Sequence, residues 1–144
     1  MADEAAPLDS ALDWVADHTR RYVESDGADG HQWNGVPTLV LTTTGRRSGQ
    51  LRRNALIYGR DGEVYLIVAS RGGDDHDPLW YRNLVADPHV SVQVGADRFE
   101  ATARTASAEE KRHWWPTMAA IWPAYDDYQA KTDRDIPVVV ITRR

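Results

Sequence analysis

Two pairs of arginines flank a single turn in TLVLTTTGRRSGQLRRNALIY (residues 38–58), and such a cluster is suited to capturing anions. Arg46 and Arg47 sit between Gly45 and Ser48-Gly49, with Arg52 and Arg53 opening the next segment. A guanidinium matches a phosphate or carboxylate with two parallel hydrogen bonds, and a glycine-bearing turn adds exposed backbone N–H groups. The segment is not a Walker loop, because the spacing differs and no Lys-Ser/Thr follows. A solvated hairpin turn is the plain structural alternative. Charge segregation favours capture. The chain holds 17 Lys and Arg against 22 Asp and Glu, net −5, yet Gly30 to Arg60 contains five arginines and no acid, so the remainder carries −10. Arginines outnumber lysines fifteen to two, so arginine use alone says little and the segregation carries the argument.

A second stretch, VASRGGDDHDPLWYRNL (68–84), places Ser70 and Arg71 at a strand end, followed by two glycines that free the backbone for close approach to a ligand. Trp80, Tyr81 and Asn83 then open a helix, whose first N–H groups favour anions. Asp74, Asp75, His76 and Asp77 are consecutive and converge poorly on one metal ion, so a solvated loop is expected there. The third stretch, WWPTMAAIWPAYDDYQ, spaces Trp115, Met118, Trp122 and Tyr125 by 3, 4 and 3, and Tyr128 extends the stripe. One helical face follows if Pro116 and Pro123, read as breaking the region into pieces, permit it. Aromatic stripes more often build core than pocket, but two phenols beside Asp126 and Asp127 suit a pocket rim.

Other chemistry has little support. The histidines (18, 31, 76, 89 and 113) lack metal-ligand spacing, so no metal is expected. Ser48 lacks the register of a nucleophile elbow, and the absence of cysteine excludes disulfides and thiol catalysis. Any reaction would therefore draw on a cofactor that the protein positions. The acidic balance opposes nucleic-acid binding.

The elements that hold these stretches are legible from periodicity. An amphipathic helix over 8–23 covers the core and ends in the polar 24–30; its acidic polar face makes peripheral membrane contact the less favoured role. Strands are expected over 38–44, 52–59, 63–70, 89–95, 97–105 and 136–144, with a tight Asp-Gly hairpin at 60–62 joining the second and third. Helices follow at 79–87 and after a Ser107–Glu110 capping box. Six mostly antiparallel strands with segregated helices predict an α+β fold that could close into a small barrel. The division expected is 1–30, helix and linker, and 31–144, barrel. With no basic, apolar leader and no membrane-length apolar run, the expected setting is cytoplasmic.

The ordered set LTTTGRRSGQ, VASRGG, PLWYRNLVADPHVSVQVG and WPAYDDYQAKTDRDIPVVVI, with WNGVP leading in, resembles the deazaflavin-dependent nitroreductase and quinone reductase family over about residues 31–142. The resemblance implies a split β-barrel, related to barrels that bind flavin mononucleotide, which holds coenzyme F420 and delivers hydride to a planar quinone or nitroaromatic acceptor. It implies that the basic turn receives the cofactor's anionic phosphate and polyglutamate tail. Cofactor contacts carried over are Arg46, Arg47, Ser48, Arg52, Asn54, Ala55, Leu56 and Ile57, then Val68, Ala69, Ser70 and Arg71, then Leu79, Trp80, Tyr81 and Asn83. Trp122, Tyr125 and Tyr128 would wall the acceptor, with Ser70 near the reacting face and Tyr125 the best-placed proton donor. Trp122 stands where relatives can carry Tyr, implying a narrower acceptor pocket, and Arg71 where Lys is frequent. Rival readings are a flavin mononucleotide- or haem-binding barrel and a non-catalytic deazaflavin carrier. Oligomeric state is left open.

Overall fold

Strands form wherever the sequence predicts them, and the six long ones form the body of the sheet. In the computed structural model, which describes residues 8, 9 and 13–144, these are β3 (Val36–Thr44), β4 (Leu51–Ile57), β6 (Val64–Val68), β7 (His89–Val94), β8 (Asp97–Thr105) and β9 (Val138–Arg143). Three short strands join them: β1 (Leu8–Asp9), β2 (Gln32–Trp33) and β5 (Gly59–Asp61). The order is β1-β4-β3-β7-β8-β9-β6-β5, with β2 paired to β3. All pairs are antiparallel except β1 with β4. The sheet curls as an open half-barrel, which gives the expected α+β architecture.

The curl encloses one core, with Leu39, Leu41, Ile67, Val92, Phe99 and Ile141 among its members. A second core lies on the outer face of β6 and β9, where Leu66, Val68, Val138 and Val140 meet Met118, Tyr125 and Ile136. These two strands are therefore buried on both faces. That explains why VYLIV and VVVI read as unbroken apolar runs, unlike the alternating β8.

Helices α2 (Leu79–Ala86), α3 (Ala108–Ile121) and α4 (Ala124–Lys131) flank the sheet. Of the helix expected at 8–23, the described part is α1 (Asp13–Glu24), which buries Val15, His18, Thr19 and Tyr22; Leu8–Asp9 is strand and residues 10–12 lie outside the description. No helix among the described residues is long and apolar enough to cross a membrane.

Two expectations are corrected. Strands β4 and β6 do not form a hairpin: the Asp-Gly turn joins β5 to β6, while β4 pairs with β3 and β1. The chain bends between Ile57 and Gly59, and a Cβ at Gly59 would lie 2.6 Å from Met118 Sδ, so glycine lets the strand pass beneath α3. Pro116 does not break α3, since it and Arg112, whose carbonyl it cannot bond, are both exposed and water can satisfy that carbonyl. Pro123 does mark a boundary, between α3 and α4.

The capping box forms as read: Ser107 Oγ accepts from Glu110 N at 3.1 Å, and Ser107 N donates to Glu110 Oε1 at 2.9 Å. Arg104 adds a two-pronged contact at 2.8 Å to each carboxylate oxygen. Arg104 first, and then the Ser107 N–H, hold the Glu110 carboxyl at about 2, against an ordinary 4.5. A depressed folded-state pKa stabilises the fold above the unfolded value, and that contribution is lost as pH falls through the folded one. Glu110→Gln is therefore expected to lower Tm above pH ~5, with the difference shrinking as pH falls from about 4.5 towards 2. Melting curves across that range check this; a pH-independent difference would refute the linkage.

Candidate active site

Strand β4, the end of β6 and α4 converge on a cavity of about 680 Å³. From β4 come Arg52, Asn54, Ala55, Leu56 and Ile57; from the end of β6 and its loop, Val68, Ser70 and Arg71. Leu79, Trp80 and Asn83 enter from α2, and Trp122, Tyr125 and Tyr128 close the far wall. The cavity thus assembles most of the expected residues from segments separated by up to 76 positions, as Arg52 and Tyr128 are.

Other expected residues lie elsewhere. Ala69 is fully buried in the inner core, on the opposite face of its strand from Val68. Tyr81 packs against the same core and its hydroxyl meets Thr105 Oγ1 at 2.7 Å. Arg46, Arg47 and Ser48 are exposed on the turn and do not line the cavity. Asn83 connects that turn to it. Its Oδ1 accepts from Arg46 N at 3.3 Å and from the Arg46 guanidinium at 3.2 Å, while its Nδ2 donates to Thr43 Oγ1 at 3.2 Å. At 3% exposure, Asn83 ties the turn to α2 as well as bordering the cavity. Arg60, the fifth basic residue of the window, lies over the Tyr65 ring on β5 and takes no part.

The loop after β6 is held by one side chain that the sequence reading did not single out. Arg134 donates through Nε to Asp74 O (2.9 Å), through Nη1 to Ala69 O (3.1 Å) and Asp77 Oδ1 (3.0 Å), and through Nη2 to Ser70 O (2.8 Å). Thr132 Oγ1 donates to Asp75 Oδ1 at 2.7 Å. The run of acids thus anchors the loop to the segment before β9. Within it Arg71 has φ +46°, a left-handed conformation that costs a non-glycine residue roughly 1–3 kcal/mol.

Trp33, His18, Val15 and Thr38 also line the cavity and were missed. The signal for Trp33 lay in WNGVP: Asn34 (φ +48°) and Gly35 (φ +80°) form a tight turn that pairs Trp33 with Val36. The Trp33 ring then meets Trp122 with centroids 5.2 Å apart.

Among the described residues Arg46, Arg47, Arg52 and Arg71 form no ion pair, as is also true of Arg60, Arg82, Arg112 and Arg144 away from the cavity, whereas Arg20, Arg21, Arg98, Arg104, Arg134 and Arg143 do. On the opposite wall Tyr125 is 4% exposed, and its hydroxyl has no protein partner among the described residues. Burial, then the neighbouring Tyr128 phenol, pushes its pKa well above the ordinary phenol value, so it keeps its proton. Tyr128 accepts weakly from Trp122 Nε1 at 3.5 Å.

The sequence profile of the F420H(2)-dependent quinone reductases matches residues 14–143. The chain belongs to that family. An F420H(2)-dependent quinone reductase of Mycobacterium tuberculosis is 43% identical over 136 residues, 88% of each chain. Among solved structures, an F420-H2 dependent reductase is 43% identical, covering 73% of this chain and 93% of its own, with a TM-score of 0.68. Another relative, described as a domain-swapped dimer, is 40% identical over 92% of this chain and 99% of its own, with a TM-score of 0.71. The curled sheet is the split β-barrel of this quinone reductase family.

Proposed function

We propose that this protein is an F420H2-dependent reductase that passes hydride to a quinone. The observation that carries the reading is the coincidence of an apolar cavity with Arg52 and Arg71 on its lining, neither in an ion pair among the described residues, and with a basic turn tied to it through Asn83. A group with a flat ring and an anionic tail suits both parts, which is the fit that a deazaflavin requires. Arg46, Arg47 and Ser48 on the turn, with Arg52 and Arg71 nearer the ring, would hold the tail; Asn54 to Ile57, Val68, Leu79 and Trp80 would flank the tricycle. The reduced deazaflavin, once bound, supplies the hydride.

The chain's own contribution is position and polarity. Trp122, Tyr125 and Tyr128 would confine a planar acceptor, and Trp33 would cover its edge, so α1 and β2 complete the site instead of standing apart from it. Holding reactants in register contributes much of the barrier reduction. Tyr125, kept protonated, is suited to donate a hydrogen bond to the acceptor oxygen that gains negative charge. Ser70, 9% exposed with no protein partner for Oγ among the described residues, can do the same from the opposite side. A nitroaromatic shares the flatness and terminal oxygens of a quinone and would use the same wall.

A fluorescence titration with F420, flavin mononucleotide and haem at two salt concentrations tests the cofactor. Tight binding of F420 alone, weakened by salt, is expected; preference for either rival would overturn the reading. Tyr125→Phe is expected to leave F420 affinity within about twofold and to lower kcat for quinone 10- to 100-fold, the value of one hydrogen bond to a developing charge, about 1.5–3 kcal/mol. Unchanged turnover would remove this tyrosine from the mechanism, and a wild-type protein that binds F420 without turnover would be a carrier.

A further inference from the structure

Quinone reduction consumes a hydride and a second proton, and the reading above supplies the first but leaves the source of the second unassigned. Tyr125 is a poor source, because burial holds its proton more tightly than an ordinary phenol. The cavity is also lined by an imidazole that nothing so far uses. His18 lies on the buried face of α1 at 6% exposure and borders the cavity together with Thr38 and Asn54.

The surroundings of His18 are built in detail. Its Nε2 lies 2.5 Å from Gly30 O. A carbonyl can only accept, so Nε2 carries the hydrogen. Thr38 Oγ1 donates to the same carbonyl at 2.7 Å. Gly30 has φ +113°, and a Cβ there would lie 2.9 Å from His18 Cδ2, so glycine both makes the backbone turn and leaves room for the ring. With Nε2 committed, Nδ1 is the exchangeable nitrogen. It has no partner among the described residues, and no fully buried side-chain nitrogen or oxygen there lacks one, so Nδ1 reaches solvent-accessible space. The cavity that the ring lines offers such space.

Resting on the quinone-reductase reading, we infer that His18 is the proton donor of the reaction, giving its Nδ1 proton to the quinone oxygen as hydride arrives from the reduced deazaflavin. The acceptor gains two electrons and two protons in all and leaves as the quinol. The cofactor leaves oxidised, and neutral His18 regains its proton from solvent. The Nε2–H bond to the Gly30 carbonyl survives in both states, so the ring shuttles a proton without moving. An imidazole can gain and lose a proton at one nitrogen while the other keeps its hydrogen bond, which suits it to this exchange. The elements packed on α1 carry Arg52 and Arg53 on β4 and Arg98 on β8, which donates to Val23 O, with His31 beyond Tyr22. The helix itself adds Asp17 and Tyr22, whose phenol burial pushes up and keeps neutral.

His18→Gln tests this, since a glutamine amide can reproduce the Nε2–H bond but cannot titrate. The expected result is a fall of about 100-fold in kcat with menadione, the low end of general-acid effects. F420 affinity should stay within twofold, and the pH profile of kcat should lose the limb that belongs to this imidazole. Independently of turnover, ¹⁵N-histidine NMR of the wild-type protein with oxidised F420 should show His18 Nε2 protonated whether or not Nδ1 also carries its proton, with an Nδ1 signal that moves on adding menadione. That measurement stands even where the variant does not fold. An Nδ1 signal indifferent to menadione overturns the inference, including when kcat falls, because the histidine would then act through the fold. Unchanged kcat and pH profile overturn it while leaving the quinone-reductase reading intact. A wild-type protein that fails to bind F420 or to reduce menadione overturns both.

Discussion

Arg134→Met is expected to lower unfolding free energy by about 3 kcal/mol and to weaken F420 binding at least tenfold. The guanidinium is mostly buried, 15% exposed, and commits four donor contacts to residues 69, 70, 74 and 77. Methionine keeps the aliphatic bulk but leaves the carbonyl of fully buried Ala69 without its donor and the Asp77 carboxylate without its cation, and it removes one of two donors from the Ser70 carbonyl, which keeps the Gly73 N–H. Each unsatisfied buried group costs roughly 1–3 kcal/mol, and the total is less than additive because the loop can relax towards water. That relaxation is what reaches the site, since Ser70, Arg71 and Gly72 all line the cavity. Arg134→Lys, which keeps the charge but loses the planar fork, should fall between. Urea denaturation and an F420 titration on the three proteins check this. A methionine variant within 1 kcal/mol of wild type, or one with unaltered F420 affinity, would show that the loop holds itself.

Gly73→Ala is expected to cost about 3 kcal/mol, and the neighbouring Gly72→Ala only about 1 kcal/mol. Both glycines are left-handed, φ +82° and +64°, so each substitution carries a conformational penalty of roughly 1–2 kcal/mol. The difference is space. A Cβ at Gly72 meets nothing within 4 Å, whereas one at Gly73 would lie 2.8 Å from Tyr128 O and 2.9 Å from Tyr128 Cα. Backbone cannot rotate aside as a side chain can, so α4 must shift, adding roughly 1–3 kcal/mol of overpacking strain. Because α4 carries both Tyr125 and Tyr128, the Gly73 variant should also lose quinone turnover while the Gly72 variant retains most of it. Equal destabilisation of the two would mean that the close approach of loop and helix is not maintained in solution.

These two residues mark the boundary between what is legible in one dimension and what is not. Strand β8 begins and ends at the expected residues, 97 and 105, because each residue's burial there follows from its own polarity and a period of two. The Ser107–Glu110 box is equally local, its two hydrogen bonds spanning three residues. The arginine turn was visible through charge segregation, and the family through ordered motifs. Which strand pairs with which is a different kind of fact. Residues 52–57 and 64–68 are adjacent in sequence and both strand-forming, yet the bend before Gly59 sends them to different partners, β4 to β3 and β6 to β9. Likewise Pro116, a breaker by type, lies within a helix because its position is solvated.

The sequence by itself determined the types of the main elements and the basic turn, since these depend on side-chain chemistry and short-range periodicity, and its ordered motifs carried the family resemblance that implied the cofactor. Only the tertiary structure decided that His18 and Trp33 enter the cavity, that Asn83 ties the basic turn to α2, and that Arg134 holds the loop beneath the acceptor wall. Those roles rest on contacts between groups 12 to 89 residues apart, and no local pattern encodes which distant carbonyl a buried guanidinium or imidazole will meet.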